Sequence, residues 1–156
     1  MDENLRLPPE EPVGEVVWVA AGGEVDECSV SLRFFGEDLD PNVITSILGI
    51  HPTKSCRKGD IFHGKVYDRI EKIGKWLYSI KPCAGVSLED QINNLFDRLP
   101  ADLEVWRELT TRFEADLFCG LWLKQWNRGL DFSPETLKRI AERGLSIGLD
   151  IYFDED

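Results

Sequence analysis

Apolar and polar residues alternate with period two along residues 28–35, where Val30, Leu32 and Phe34 interleave with Ser29, Ser31 and Arg33. That spacing belongs to a strand with one dry face and one wetter face. The alternation returns near the C-terminus, where Leu145, Ile147, Leu149, Ile151 and Phe153 are separated by Ser146, Gly148, Asp150 and Tyr152. Residues 16–21, β-branched and aromatic and closed by Gly22-Gly23, read as a strand that forms a hairpin with 28–35. Residues 75–80, centred on Trp76 and Tyr78, read as another. Between Ala115 and Trp126 the set Leu117, Cys119, Leu121 and Leu123 alternates with Phe118, Gly120, Trp122, Lys124 and Trp126. This predicts a long strand that is apolar on both faces.

Elsewhere the period is helical. Asp40-Pro41 supplies an N-cap and a first-turn proline for a short helix that stops at Gly49. Ser87 with Asp90 forms a capping box ahead of Leu88, Ile92, Leu95, Phe96 and Leu99, and Pro100 ends the run. Residues 102–113 and a segment capped by Ser133-Pro134 and closed by Gly144 are two further helices. Residues 50–74 show little periodicity and read as one long loop.

Together these elements predict an α+β two-layer sandwich: one mixed or antiparallel sheet of about five strands with helices on a single face. A ferredoxin-like arrangement is the nearest common fold, and a strand–helix–strand unit recurs as 28–80 and 115–153. Val30, Leu32, Phe34 and the row from Leu145 to Phe153 are expected beneath the helices. Ser29, Ser31, Arg33, Ser146, Asp150 and Tyr152 are expected on the open face.

At 156 residues and 42% hydrophobic, the chain has the size of one domain. Residues 1–13, rich in proline and charge, read as a disordered acidic arm ahead of a single domain at 14–156. Neither a signal peptide nor a membrane-spanning run is visible, which makes the cytoplasm the expected location. Four scattered cysteines, Cys28, Cys56, Cys83 and Cys119, have no zinc-ligand spacing and suit a reducing compartment. Cys119 reads as a small core residue, whereas Cys56 and Cys83 lie near loops.

The formal net charge of −11 argues against nucleic-acid binding, which draws on basic patches, and favours a cationic partner. Acids crowd residues 1–27 and the last three positions. Residues 51–75 are basic instead, with Lys54, Arg57, Lys58, Lys65, Arg69, Lys72 and Lys75 against Asp60, Asp68 and Glu71.

The leading candidate site is the open sheet face. There Phe118, Trp122 and Trp126 would stand among Arg33, Asp150 and Tyr152, an aromatic group in a polar frame that suits a protein partner or a second copy of the chain. Burial of these rings under the protomer's own chain is the competing reading. The second candidate is the basic loop at 51–60, where Lys54, Arg57 and Lys58 near Gly59 would hold an anion, without the spacing of a P-loop. An enzyme using His51 or His63 as acid or base and Cys56 as nucleophile comes third, and a metal site of His51, Cys56 and His63 requires the loop to fold back. No cofactor is expected.

The run from Leu32 to Asp60, with Asp40-Pro41, Leu48-Gly49-Ile50, Pro52-Thr53 and Lys58-Gly59-Asp60, resembles the bacterial family catalogued as domain of unknown function 4279. Trp76 after Gly74, the helix from Ser87, Ser133 to Leu137 and the terminal Asp150-Ile151-Tyr152 are similar too, so the likeness covers the chain from about Glu27 onward. No catalytic residue comes with it. Its likeness to proteins encoded beside bacterial toxins implies an immunity factor that neutralises a cationic toxin domain by direct binding. An acidic binder would be steered to such a target by charge.

Overall fold

The structure is a computed structural model in which residues 22–153 are described. The arm at 1–13 and the strand expected at 16–21 lie outside the described residues. Five strands make one mixed sheet in the spatial order β2 (Lys54–Cys56), β5 (Gly74–Ala84), β1 (Glu27–Gly36), β6 (Glu114–Leu123) and β7 (Ser146–Phe153). β1 is antiparallel to both of its neighbours, whereas β7 runs parallel to β6. Four helices, α1 (Pro41–Leu48), α2 (Leu88–Asp97), α3 (Leu103–Arg112) and α4 (Pro134–Glu142), cover one face. The domain is therefore the expected α+β sandwich.

Its path differs from the ferredoxin-like plan. That plan splits each strand–helix–strand unit by inserting a strand between its parallel partners. Here β6, α4 and β7 form an unsplit unit with the two strands hydrogen-bonded to each other. The strand–helix–strand succession does recur, as β1, α1 and β5 and as β6, α4 and β7, but the first pair of strands is antiparallel and the second parallel.

Helix ends follow their caps. The Asp40 carboxylate accepts from the Asn42 N–H, Ser87 Oγ from the Asp90 N–H, and Ser133 Oγ from the Thr136 N–H. Gly49, at φ 73°, takes the left-handed conformation that closes α1, which a side chain would resist. Beneath the helices Val30, Leu32 and Phe34 are fully buried with Ile44, Trp76, Ile92, Leu95, Trp106 and Leu117. Both buried indoles keep a partner: Trp76 Nε1 donates to Thr45 Oγ1 at 3.0 Å and Trp106 Nε1 to the Pro100 carbonyl at 2.8 Å. Arg143, also buried, lays its guanidinium 4.4 Å from the Phe96 ring centre and donates to the Arg139 carbonyl.

Two further expectations are corrected by the fold. Ile147, Leu149, Ile151 and Phe153 do point to the helix side, since they pair with Leu117, Cys119, Leu121 and Leu123, yet they remain 36%, 46%, 60% and 49% exposed. The cause is position: β7 is the outermost strand, and α4 buries only Thr136 and Ile140 while its Leu137 stays exposed. The segment 50–74 is not one irregular loop either. It builds β2 along the edge of β5 and a separate hairpin of β3 (Ile61–His63) and β4 (Asp68–Ile70).

Glu71 fastens this segment to the sheet. Its carboxylate is almost fully enclosed and accepts from Arg69 Nη2 and Lys75 Nζ, both at 2.6 Å, while its backbone exchanges hydrogen bonds with Gly59 and Asp60. The hydrogen bond from Lys75, then that from Arg69, holds the Glu71 carboxyl below its ordinary 4.5. A carboxyl whose folded pKa is depressed stabilises the fold above its unfolded pKa, and that contribution disappears as pH falls through the folded value. Glu71→Gln should therefore be less stable than wild type at neutral pH, and the gap should close on acidification below 4.5. Urea unfolding across that range measures it; a gap that stays constant with pH would mean that the ionised carboxylate is not what holds the segment.

Candidate functional site

The uncovered face of the sheet is organised by β1 and its two neighbours. Ser31 lies opposite both Ser79 and Phe118, and Arg33 opposite both Leu77 and Asp116. The Arg33 guanidinium grips Asp116 through both carboxylate oxygens, at 2.8 and 2.6 Å, and stacks 4.2 Å from the Phe118 ring centre. The hydrogen bonds that Arg33 donates to Asp116 raise the Arg33 pKa above its ordinary value. Ser31 and Ser79 join their hydroxyls at 2.8 Å. This half of the face is a closed polar lattice, satisfied within the domain.

The other half is aromatic. Trp122 and Tyr152 are cross-strand partners on β6 and β7, and their rings stack with centroids 5.2 Å apart and planes within 16°. Gly120 explains why the indole can lie low on the sheet. A Cβ at that position would stand 2.7 Å from the edge of the Trp122 ring, so only glycine leaves the room. Gly148 differs: a Cβ there would meet Phe118 only at 3.8 Å, an ordinary contact. The Tyr152 hydroxyl donates to Asp150, and that bond pushes the phenol pKa up.

Trp122 and Phe118 are half-buried and Tyr152 is 43% exposed, so no element among the described residues seals this surface. Trp126 is not on the strand as its spacing predicts. β6 ends at Leu123, and Trp126 stands in the following loop at 85% exposure. That loop is held by Asp26, which accepts from the Lys124 N–H at 2.9 Å and from Arg128 Nε at 3.0 Å; the Arg128 bond is the chief cause of its lowered pKa. The structure thus gathers Arg33 with Phe118 and Trp122 with Asp150 and Tyr152, and sets Trp126 beyond the end of their strand.

The basic loop does not present free cations. Lys54 sits over the Phe62 ring at 5.6 Å, Arg57 pairs with Asp40 at 2.7 Å, and Lys58 pairs with Glu37 at 3.3 Å. Nor do the loop's histidines and cysteine converge: His63 Nδ1 lies 3.1 Å from Asp68 across the hairpin, while Cys56 Sγ faces the Ile73 carbonyl. Among the described residues no three His, Cys, Asp or Glu side chains come together in a group that could hold a metal ion. A cleft of about 700 Å³ opens beside the Arg33–Asp116 pair, lined also by Phe35, Thr110, Arg112 and Ser146. Its lining contains neither histidine nor cysteine.

The fold and its uncovered face define a two-layer α+β domain with an aromatic platform at one end of the bare sheet. The chain belongs to the family described as Domain of unknown function (DUF4279), which matches residues 26–154. No curated protein and no solved structure matches it. Among the described residues no helix is long and apolar enough to cross a membrane.

Gly120→Ala tests how the platform is built. The added methyl would meet the indole, so the ring must lift off the sheet at a cost of about 1–3 kcal/mol, typical of overpacking. The expected result is a loss of near-ultraviolet circular dichroism and a red shift of tryptophan emission with far-ultraviolet spectra unchanged. Identical aromatic spectra would show that the indole does not rest on Gly120.

Proposed function

We propose that this protein is a non-enzymatic protein-binding domain that acts as an immunity protein, neutralising a cationic toxin domain by direct contact through the open face of its sheet. The observation that carries this reading is the stacked Trp122–Tyr152 pair, left accessible beside Asp150 and followed by the exposed Trp126. Aromatic rings of this kind dominate binding energy where they are desolvated by a partner. Their faces and the neighbouring carboxylate together suit a lysine or arginine side chain, which gains from both the ring quadrupole and the negative charge.

The net charge of −11 supports the same partner, since a strongly acidic surface draws a basic one and raises the association rate. The apolar row on β7 lies around the edge from the platform and extends the area available to a partner. The basic loop is the weaker alternative, because its cations already have acidic or aromatic neighbours within the chain.

The test is to identify the gene beside this chain's own, purify its product and, if that product is toxic, titrate it with wild type, Trp122→Ala and Trp126→Ala. Each replacement should weaken binding by about 2 kcal/mol, roughly thirtyfold in Kd, if the ring is a hot spot. Association should also slow as salt is added, through screening of the steering field. Full affinity in both variants would remove this face from the interface, and failure to bind or suppress the neighbouring toxin would sink the immunity reading.

A further inference from the structure

Cys28 and Cys83 occupy directly opposed positions of the antiparallel β1–β5 pair, at the point where the register shifts between Cys28 and Val30. Directly opposed residues in such a pair have Cα atoms about 4.5–5.5 Å apart, inside the roughly 4.4–6.8 Å window that a disulfide spans. The thiols differ in surroundings. Cys28 is buried and Cys83 exposed. The Cys28 thiol donates to the Val86 carbonyl at 3.3 Å and receives a hydrogen bond from Gln91 Nε2 at 3.2 Å, just under the first turn of α2. Gln91 is itself buried, and its Oε1 has no partner among the described residues.

We propose that Cys28 and Cys83 are a reversible oxidation site that forms a cross-strand disulfide by exchange with a low-molecular-weight disulfide such as oxidised glutathione. Cys83 begins the reaction because it alone of the pair meets solvent. Its thiolate attacks one sulfur of the oxidant, the oxidant's S–S bond breaks, and one glutathione thiolate leaves and takes up a proton. Cys28 then loses its proton and attacks Cys83 Sγ; the mixed disulfide breaks and the second glutathione departs as a thiol. Two protein thiols are oxidised and one glutathione disulfide is reduced, with both thiol protons ending on the two glutathiones.

The Gln91 N–H is placed to stabilise charge on Cys28 Sγ during the second step. Burial, and after it the nearby Cys83 and Glu27, raises the Cys28 pKa. The remaining thiols are poor competitors. Cys119 is enclosed in the core, where burial pushes its pKa to about 12, and Cys56 is half-buried on the segment that follows α1.

The experiment exposes the full chain to oxidised glutathione and follows free thiols, intact mass and disulfide-linked peptides. Two of the four thiols should be lost without retained glutathione, the linked peptides should join Cys28 to Cys83, and dithiothreitol should reverse both changes. Cys56→Ser should behave as wild type, whereas Cys83→Ser should leave Cys28 reduced; this second variant changes an exposed residue, so its folding is not at issue. A glutathione adduct that persists on Cys83 with Cys28 untouched would overturn the proposal, as would linkage to Cys56, to Cys119 or between two chains.

Discussion

The two-sided register of β1 is the constraint on which the rest of the molecule depends. This central strand is hydrogen-bonded along almost its full length to β5 on one side and β6 on the other. Because strand side chains alternate strictly, a slip of one residue would carry Val30, Leu32 and Phe34 out of the core and put Ser29, Ser31 and Arg33 in their place. Burial of the apolar set opposes that slip from one face. Polar pairing opposes it from the other, where Arg33 reaches Asp116 on β6 and Ser31 reaches Ser79 on β5. Surface ion pairs contribute little to stability as a rule. A half-buried bidentate pair in the middle of a sheet has a second effect, which is to specify the strand register.

Much of this arrangement is legible in the sequence because it is local. Asp40-Pro41, Ser87 and Ser133-Pro134 announce helix starts by chemistry that acts within a few residues, and each side chain does accept the expected backbone N–H. Strand alternation likewise predicts which way each side chain points. It does not predict what covers that side. Ile147 to Phe153 have the parity of core residues and are exposed, because coverage depends on the width of the helical layer and not on the strand. Strand order is non-local for the same reason, and the parallel β6–β7 contact leaves no mark in either segment. The short strands β2, β3 and β4 each contain three residues, too few for a period to show.

The candidate face was readable in its membership more than in its geometry. Phe118, Trp122, Asp150 and Tyr152 follow from parity, but the register that sets Trp122 beside Tyr152 needs the parallel pairing to be known. One signal is available: glycine at 120, in the middle of a strand where it weakens β structure, marks a place where something approaches the backbone closely. Here the ring of Trp122 fills the hollow at Gly120. Trp126 lies off the strand although alternation continues in the sequence past Leu123, the residue at which β6 ends. Its loop is fixed instead by Asp26, almost a hundred positions earlier in the chain.

Charge organises the protein in a way that its sequence total conceals. The chain is strongly acidic, yet most cations of the basic segment are spent internally: Glu71 holds Arg69 and Lys75, Asp40 holds Arg57, and Glu37 holds Lys58. Such contacts attach the segment to the sheet edge and mute its positive potential. The aromatic platform has Asp150 beside it and Glu27 opposite Trp122 on β1, in a chain whose net charge is −11. A cationic side chain arriving over Trp122 and Tyr152 would therefore meet attraction from the ring faces, from those carboxylates and from the long-range field alike, whereas an anion would meet opposition from all three.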